Sequence, residues 1–172
     1  MYRDLPIEQL LRRKDTRFQY GFATQAKALV PQGDEFALSA SHNGLHVLAR
    51  NEEGLAAPVE VLRDTYGADL EVQPPRVRLL EGVQIQQPIM HVRISLKLRD
   101  AAPVKRVLHR RGATLSEEYA RSNYCVLRYQ APLADLLGLP GELDSLTEGS
   151  AKHWIVLSHY ALVPRDPGGR AA

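Results

Sequence analysis

The stretch Pro132-Leu133-Ala134-Asp135-Leu136-Leu137-Gly138-Leu139-Pro140-Gly141-Glu142-Leu143-Asp144-Ser145-Leu146-Thr147-Glu148-Gly149 decides how the second half of this chain is read. Pro132 suits a helix start, because its missing N–H would go unpaired there anyway. Leu133, Leu136 and Leu137 stand at i, i+3 and i+4, one face of a helix. Gly138 and Pro140-Gly141 interrupt that helix. Leu143 and Leu146 resume an apolar face beyond the break, and Gly149 ends the second piece.

Alternating runs flank this helical segment. Upstream, Cys125, Leu127, Tyr129 and Ala131 share one parity in a strand over Tyr124 to Ala131, and Ala113 to Tyr119 reads as the strand before it. Downstream, Lys152 to Leu162 reads as the last strand. Further back, Met90, Val92, Ile94, Leu96 and Leu98 point one way while His91, Arg93, Ser95 and Lys97 point the other, the pattern of a sheet with one buried face. Pro103 to Arg111 reads as a helix with Val104, Val107 and Leu108 inward, and Gly112 suits its C-terminal cap. The order is βαββαβ, the ferredoxin-like split unit of an α+β fold.

The wording of these segments resembles the C-terminal domain of elongation factor G and related translational GTPases. The Pro132–Gly149 stretch resembles the last helix of that domain, and Gln87-Pro88-Ile89-Met90 resembles the Glu-Pro-Ile-Met that opens it. His109-Arg110-Arg111-Gly112 resembles its Asn-Arg-Arg-Gly, and Ser158-His159-Tyr160 with Val163-Pro164 resembles its closing strand and exit. One departure stands out: where the family usually reads Leu-Thr-Gln-Gly-Arg-Gly, this chain has Leu146-Thr147-Glu148-Gly149-Ser150-Ala151.

The first half is less plain. Leu5 to Lys14 reads as a short amphipathic helix, its Arg12-Arg13-Lys14 end either a solvated terminus that suits the helix dipole or a contact for an anion. Phe18 to Val30 reads as a strand. Glu35 to Ser41 and Leu45 to Ala49 read as a hairpin around Asn43-Gly44. Ala56 to Tyr66 reads as a helix, and Asp69 to Val72 and Arg76 to Leu80 as strands. Gly44-Leu45-His46-Val47 and the Tyr66–Arg78 segment resemble the third domain of elongation factor G, whose first helix has no clear counterpart here. Gln84 to Pro88 is the expected joint. The expected organisation is therefore two ferredoxin-like units, residues 1–85 resembling the third domain with an N-terminal extension and residues 86–165 resembling the C-terminal one, then a Gly-rich flexible tail, residues 166–172.

Bulk properties narrow the function classes. The chain has 172 residues, 44% hydrophobic and 24% charged, enough for a packed core and unlike a disordered segment. A net charge of +2 does not by itself demand a nucleic-acid partner. The single cysteine excludes an internal disulfide and fits a reducing, cytoplasmic compartment. No apolar run reaches the ~18 residues of a membrane span, so no membrane partner is expected. The sequence contains no Gly-x-x-x-x-Gly-Lys-Ser/Thr loop, so neither GTP binding nor hydrolysis is expected. The resemblance also implies that the tip-bearing fourth domain of the elongation factor is missing between Leu80 and Gln87.

No metal or cofactor is expected. His42 and His46 flank a turn, and His153 and His159 lie roughly 20 Å apart along a strand. Cys125 reads as core, and neither Ser158-His159 nor the acidic residues form a recognisable triad.

Two surfaces carry chemistry. Lys105, Arg106, His109 and Arg110 line one outward helix face, with Arg111 at its end and Arg121 in the next hairpin. They form either a track for a phosphate backbone or a solvated helix face. The corresponding domain of the family lies against large-subunit ribosomal RNA, so the resemblance implies the ribosome or rRNA as partner. The second surface is the polar sheet face, His91, Arg93, Lys97, Tyr124 and Arg128. It has the ingredients of a single-strand RNA reader, or it packs against the N-terminal half or another subunit. The sequence reading is a non-enzymatic, stand-alone relative of the elongation factor C-terminal region that binds the ribosome, rRNA or a translation component. The alternative is a structural or regulatory module whose sheet face takes a protein partner or a small ligand.

Overall fold

A computed structural model describes residues 2–164, so the expected tail 166–172 lies outside the described residues. The chain divides into two compact units, Met1–Arg78 and Leu79–Ala172.

The first two elements reverse the sequence reading. Leu5 to Lys14 contains no helix: Ile7–Arg13 is strand β1. Phe18 to Val30 is not a strand: Gln19–Leu29 is helix α1. The misleading signal has a physical cause. Ile7 and Leu11 are fully buried, and Gln9 shares their parity in the strand but is polar. Its amide donates to the Gln73 carbonyl at 2.9 Å, so the apolar positions recur every four residues, as in a helix. In α1 the buried side chains Phe22, Ala23 and Ala26 follow helical spacing. Buried Gln19 ties the β1–α1 turn, donating to the Arg13 and Thr16 carbonyls and accepting from the Arg13 N–H. Helix α1 is thus the first helix that the sequence alone left unplaced.

The rest of the N-terminal unit follows the reading closely. Strands β2 (Phe36–Ser41) and β3 (Gly44–Ala49) form the hairpin, followed by α2 (Glu53–Tyr66), β4 (Leu70–Val72) and β5 (Arg76–Val77). Gly44 has φ +139°, and a Cβ there would meet the Leu11 carbonyl oxygen at 2.3 Å, so the turn requires glycine. The sheet order is β2-β3-β1-β4, with β5 also pairing with β1.

In the C-terminal unit the elements are β6 (Gln86–Lys97), α3 (Ala101–Arg110), β7 (Thr114–Arg121), β8 (Tyr124–Pro132), α4 (Leu133–Leu136), α5 (Leu139–Thr147) and β9 (Lys152–Leu162). The sheet order, β7-β8-β6-β9, repeats the second-third-first-fourth arrangement of the N-terminal unit, and all its pairings are antiparallel. Both units are ferredoxin-like. Met90, Val92, Ile94 and Leu96 are buried, as are Cys125, Leu127, Tyr129 and Ala131 across the ladder. Val104, Val107 and Leu108 of α3 are buried with them, as are Leu133, Leu136, Leu139 and Leu143.

Three residues leave their expected faces. Leu137 follows the end of α4 in a non-helical conformation and is half-buried. Leu98 is exposed, because β6 ends at Lys97 and Leu98 starts a single 3-10 turn whose N–H donates to the Asn123 carbonyl. Leu146 is exposed too. The buried face of α5 runs Leu139, Leu143, Thr147, and the Thr147 hydroxyl donates to the Leu143 carbonyl while accepting from the Ala151 N–H. This is a structural role for the threonine of the Leu-Thr-x-Gly signature. Among the described residues no helix is long and apolar enough to cross a membrane.

Candidate nucleic-acid interface

Helix α3 buries Ala101, Val104, Val107 and Leu108, which leaves Arg106 and Arg110 exposed. The basic cluster read from the sequence is only partly a free surface. Lys105 pairs with Glu118 of β7. Arg110 and Arg111 share Glu142 of α5, at 2.9 Å and 2.7 Å. The His109 imidazole is hydrogen-bonded through Nε2 to the hydroxyl of buried Tyr129, at 3.1 Å.

Arg111 goes further inward: its guanidinium also donates to the Asp135 and Leu137 carbonyls at 3.1 Å and 2.9 Å. The first belongs to the last turn of α4 and the second to the break between α4 and α5, where Gly138 takes φ +81°. Arg111 therefore closes the interruption that the sequence shows at Gly138. The hydrogen bond from Arg111, with the charges of both arginines, holds the Glu142 carboxyl below the usual carboxylate range.

Arg121 does not join the helix. It ends β7 opposite Tyr124, which puts it on the open side of the sheet. That side brings together all five residues read as a sheet face. Arg93 stands between Arg128 on β8 and Trp154 on β9, and Lys97 stands opposite Tyr124. His91, Arg93, Arg128 and Trp154 help line a shallow depression of about 420 Å³. The Arg93 guanidinium lies over the Trp154 ring, 4.9 Å from its centroid. Trp154 is absent from the surfaces read from the sequence, although its parity opposite His153 and Ile155 is a usable signal. Glu117 is the carboxylate in this depression, and it pairs with Arg128 at 3.4 Å.

Among the described residues no group of three or more His, Cys, Asp or Glu side chains is placed to hold a metal. His46 has a different use. Its Nδ1 is 2.7 Å from Glu8 Oε1 and its Nε2 is 2.7 Å from Ser41 Oγ, which links β1, β3 and β2. Ser41 Oγ also accepts from the Asn43 N–H at 3.1 Å, so the serine is engaged in its own hairpin turn and the chain of bonds reads as a tie across the sheet. Cys125 is fully buried, and that burial, with the Glu118 charge second, pushes its thiol pKa up. We expect no labelling of the folded protein by a thiol reagent at neutral pH and full labelling in denaturant. Rapid labelling of the folded form would contradict the core position.

The fold and these surfaces define an α+β protein of two ferredoxin-like units with a basic helix edge and an open, aromatic sheet. Residues 84–170, half of the chain, match the family model described as the elongation factor G C-terminus. The chain belongs to that family.

Among curated relatives, elongation factor G 2 of Hahella chejuensis is 30% identical over 82 residues, which is 48% of this chain and 12% of that protein. Mitochondrial ribosome-releasing factor 2 of Bos taurus is 32% identical over 84 residues, 48% of this chain and 11% of the relative. The matched segment thus spans only about an eighth of the length of these relatives. A crystal structure of a protein from Thermus thermophilus superposes with a TM-score of 0.66 at 14% identity, covering 92% of this chain and 41% of that one. At that identity it shows the fold, and it extends the likeness beyond the matched C-terminal half.

Proposed function

We propose that this protein is a non-enzymatic binding module that docks on the ribosome at ribosomal RNA. The observation that carries the reading is the match of residues 84–170 to the elongation factor G C-terminus. Two further points support it. One relative carries ribosome release in its name, and the outer edge of α3 presents Arg106 and Arg110 to solvent. The family match is to the elongation factor G C-terminus and the sequence has no phosphate-cradling loop, so binding rather than GTP hydrolysis is the activity it supports.

The docking edge is narrower than the sequence suggested. Arg106 is exposed without an ion pair among the described residues, and Arg110 is exposed above Glu142 with its side chain 71% accessible. Arg111 and Lys105 are held by carboxylates. The test is co-sedimentation with ribosomes at low and high salt, because contacts to phosphate weaken steeply as salt rises. The wild type is expected to pellet at low salt and to be released at high salt. Arg106→Glu with Arg110→Glu is expected to stay in the supernatant with an unchanged circular-dichroism spectrum. Equal pelleting of both proteins, or none of the wild type, would end the ribosome reading and favour a protein partner.

A further inference from the structure

We infer that the open face of the C-terminal sheet is a binding site for single-stranded RNA, with Trp154 and Arg93 as its stacking platform. The inference concerns a different surface from the α3 edge and does not depend on ribosome docking.

The face is defined by register. On β6 it carries His91, Arg93, Ser95 and Lys97, alternating with the buried Val92, Ile94 and Leu96. Their cross-strand partners are Gln130, Arg128, Val126 and Tyr124 on β8, and Val156, Trp154 and Lys152 on β9. Beyond β8, the pairs Glu117–Arg128, Tyr119–Val126 and Arg121–Tyr124 add β7 to the same side. Three aromatic side chains therefore stand on one face of a four-stranded sheet and remain open to solvent: Tyr119 at 54%, Tyr124 at 41% and Trp154 at 46% exposure. Hydrophobic burial ordinarily covers such rings, and exposed aromatic clusters mark contact surfaces.

Charge selects the occupant. Arg93, Lys97, Arg121, Arg128 and Lys152 lie on this face against a single carboxylate among the described strand residues, Glu117, which Arg128 already holds. An acidic, planar ligand meets both features at once. A duplex does not, because its bases are stacked on one another and its A-form surface offers mainly phosphates and 2′-hydroxyls. Unpaired bases can lie on aromatic rings and on arginine planes while lysines and arginines meet the phosphates between them.

The spacing fits a strand rather than one nucleotide. Trp154 aligns with Arg93 on β9, and Tyr124 aligns with Lys97 on β8. Four residues along the strand and two strands across place them about 16 Å apart. Different bases of one chain would therefore meet the Trp and Tyr ends. The sheet is free to do this because α3, α4 and α5 supply the apolar cover on the other side.

The chain holds one tryptophan, so its fluorescence reports on this site alone. Titration with a single-stranded oligouridine of about eight nucleotides is expected to quench Trp154 emission saturably, with much weaker quenching by the same length of duplex RNA. With a fluorescein-labelled oligouridine and anisotropy as readout, Trp154→Ala is expected to weaken binding about 10- to 100-fold, the loss of one stacked base. Trp154→Phe should recover part of it, and Arg93→Ala should weaken it as well. Arg106→Glu with Arg110→Glu should leave oligouridine binding nearly intact, which separates this site from ribosome docking. Absence of quenching, equal affinity for duplex, or unchanged binding by a folded Trp154→Ala protein would overturn the assignment. Quenching by an acidic peptide but not by RNA would overturn it in favour of a protein partner.

Discussion

Replacing Ile94 by Asp is expected to unfold the C-terminal unit. Ile94 lies in the middle of β6, the central strand, with β8 on one side and β9 on the other. It is wholly inaccessible, as is Leu127 opposite it. An aspartate there would have no partner, and burying an unpaired carboxylate costs on the order of tens of kcal/mol if it stays charged, beyond the ~5–15 kcal/mol by which such a unit is stable. The chain would protonate the group or unfold, and either route costs about 4 kcal/mol or more. The expected measurement is loss of the C-terminal unit's cooperative thermal transition. Ser95→Asp, one residue along and on the open face, should melt close to the wild type. An Ile94→Asp protein with an unchanged midpoint would mean that the inward parity of β6 is wrong.

Arg111→Ala should be the most damaging change on the basic cluster, although the charge it removes looks like its neighbours'. Its side chain is only 22% exposed and serves two carbonyls and one carboxylate. Truncation leaves the Asp135 and Leu137 carbonyls without these donors and Glu142 with Arg110 alone. Hydrogen bonds to charged groups contribute more than neutral ones, so a loss of about 2 kcal/mol is expected. For a unit of this size that lowers the melting midpoint by about 10 °C. Arg106→Ala, by contrast, should stay within about 0.5 kcal/mol of the wild type.

The pH dependence gives a second reading of the same pair. Glu142 has its carboxyl pKa lowered by the Arg111 hydrogen bond first and by the two arginine charges besides. A carboxylate with a depressed folded-state pKa contributes stability that is present above its unfolded value and lost as pH falls through the folded one. The gap between wild type and Arg111→Ala should therefore hold steady near neutrality and narrow as the solution is taken below the ordinary carboxylate range. An Arg111→Ala protein that melts with the wild type at neutral pH would return Arg111 to the pool of free surface charges.

What the sequence could determine by itself was whatever is local or strictly periodic. The fault-free alternation from Met90 to Leu96 and the helical face of α3 each placed an element and its buried side, and the leucines around Gly138 placed two helical pieces. The ordered signature words placed the family. These signals survive because neighbouring residues carry them, and no distant partner is needed to interpret them. The N-terminal unit shows the converse. Gln9 is polar at an inward-parity position because the Gln73 carbonyl, far along the chain, accepts from it, and that single polar residue turned a period of two into an apparent period of four.

The candidate surfaces depended on such distant partners throughout. Four basic residues on and just after α3 read alike in sequence. Only the folded chain brings Glu118 to Lys105 and Glu142 to Arg110 and Arg111, leaving Arg106 as the exposed charge without a pair among the described residues. Arg121 changes surface because strand register, not its place in a hairpin, decides which side a residue faces. Trp154 and Arg93 are far apart along the chain, yet the β6–β9 ladder sets them opposite each other and stacks the guanidinium on the indole. A charge on a helix is legible in one dimension. Whether it is neutralised, buried or stacked is set by through-space neighbours, and tertiary packing alone supplies those.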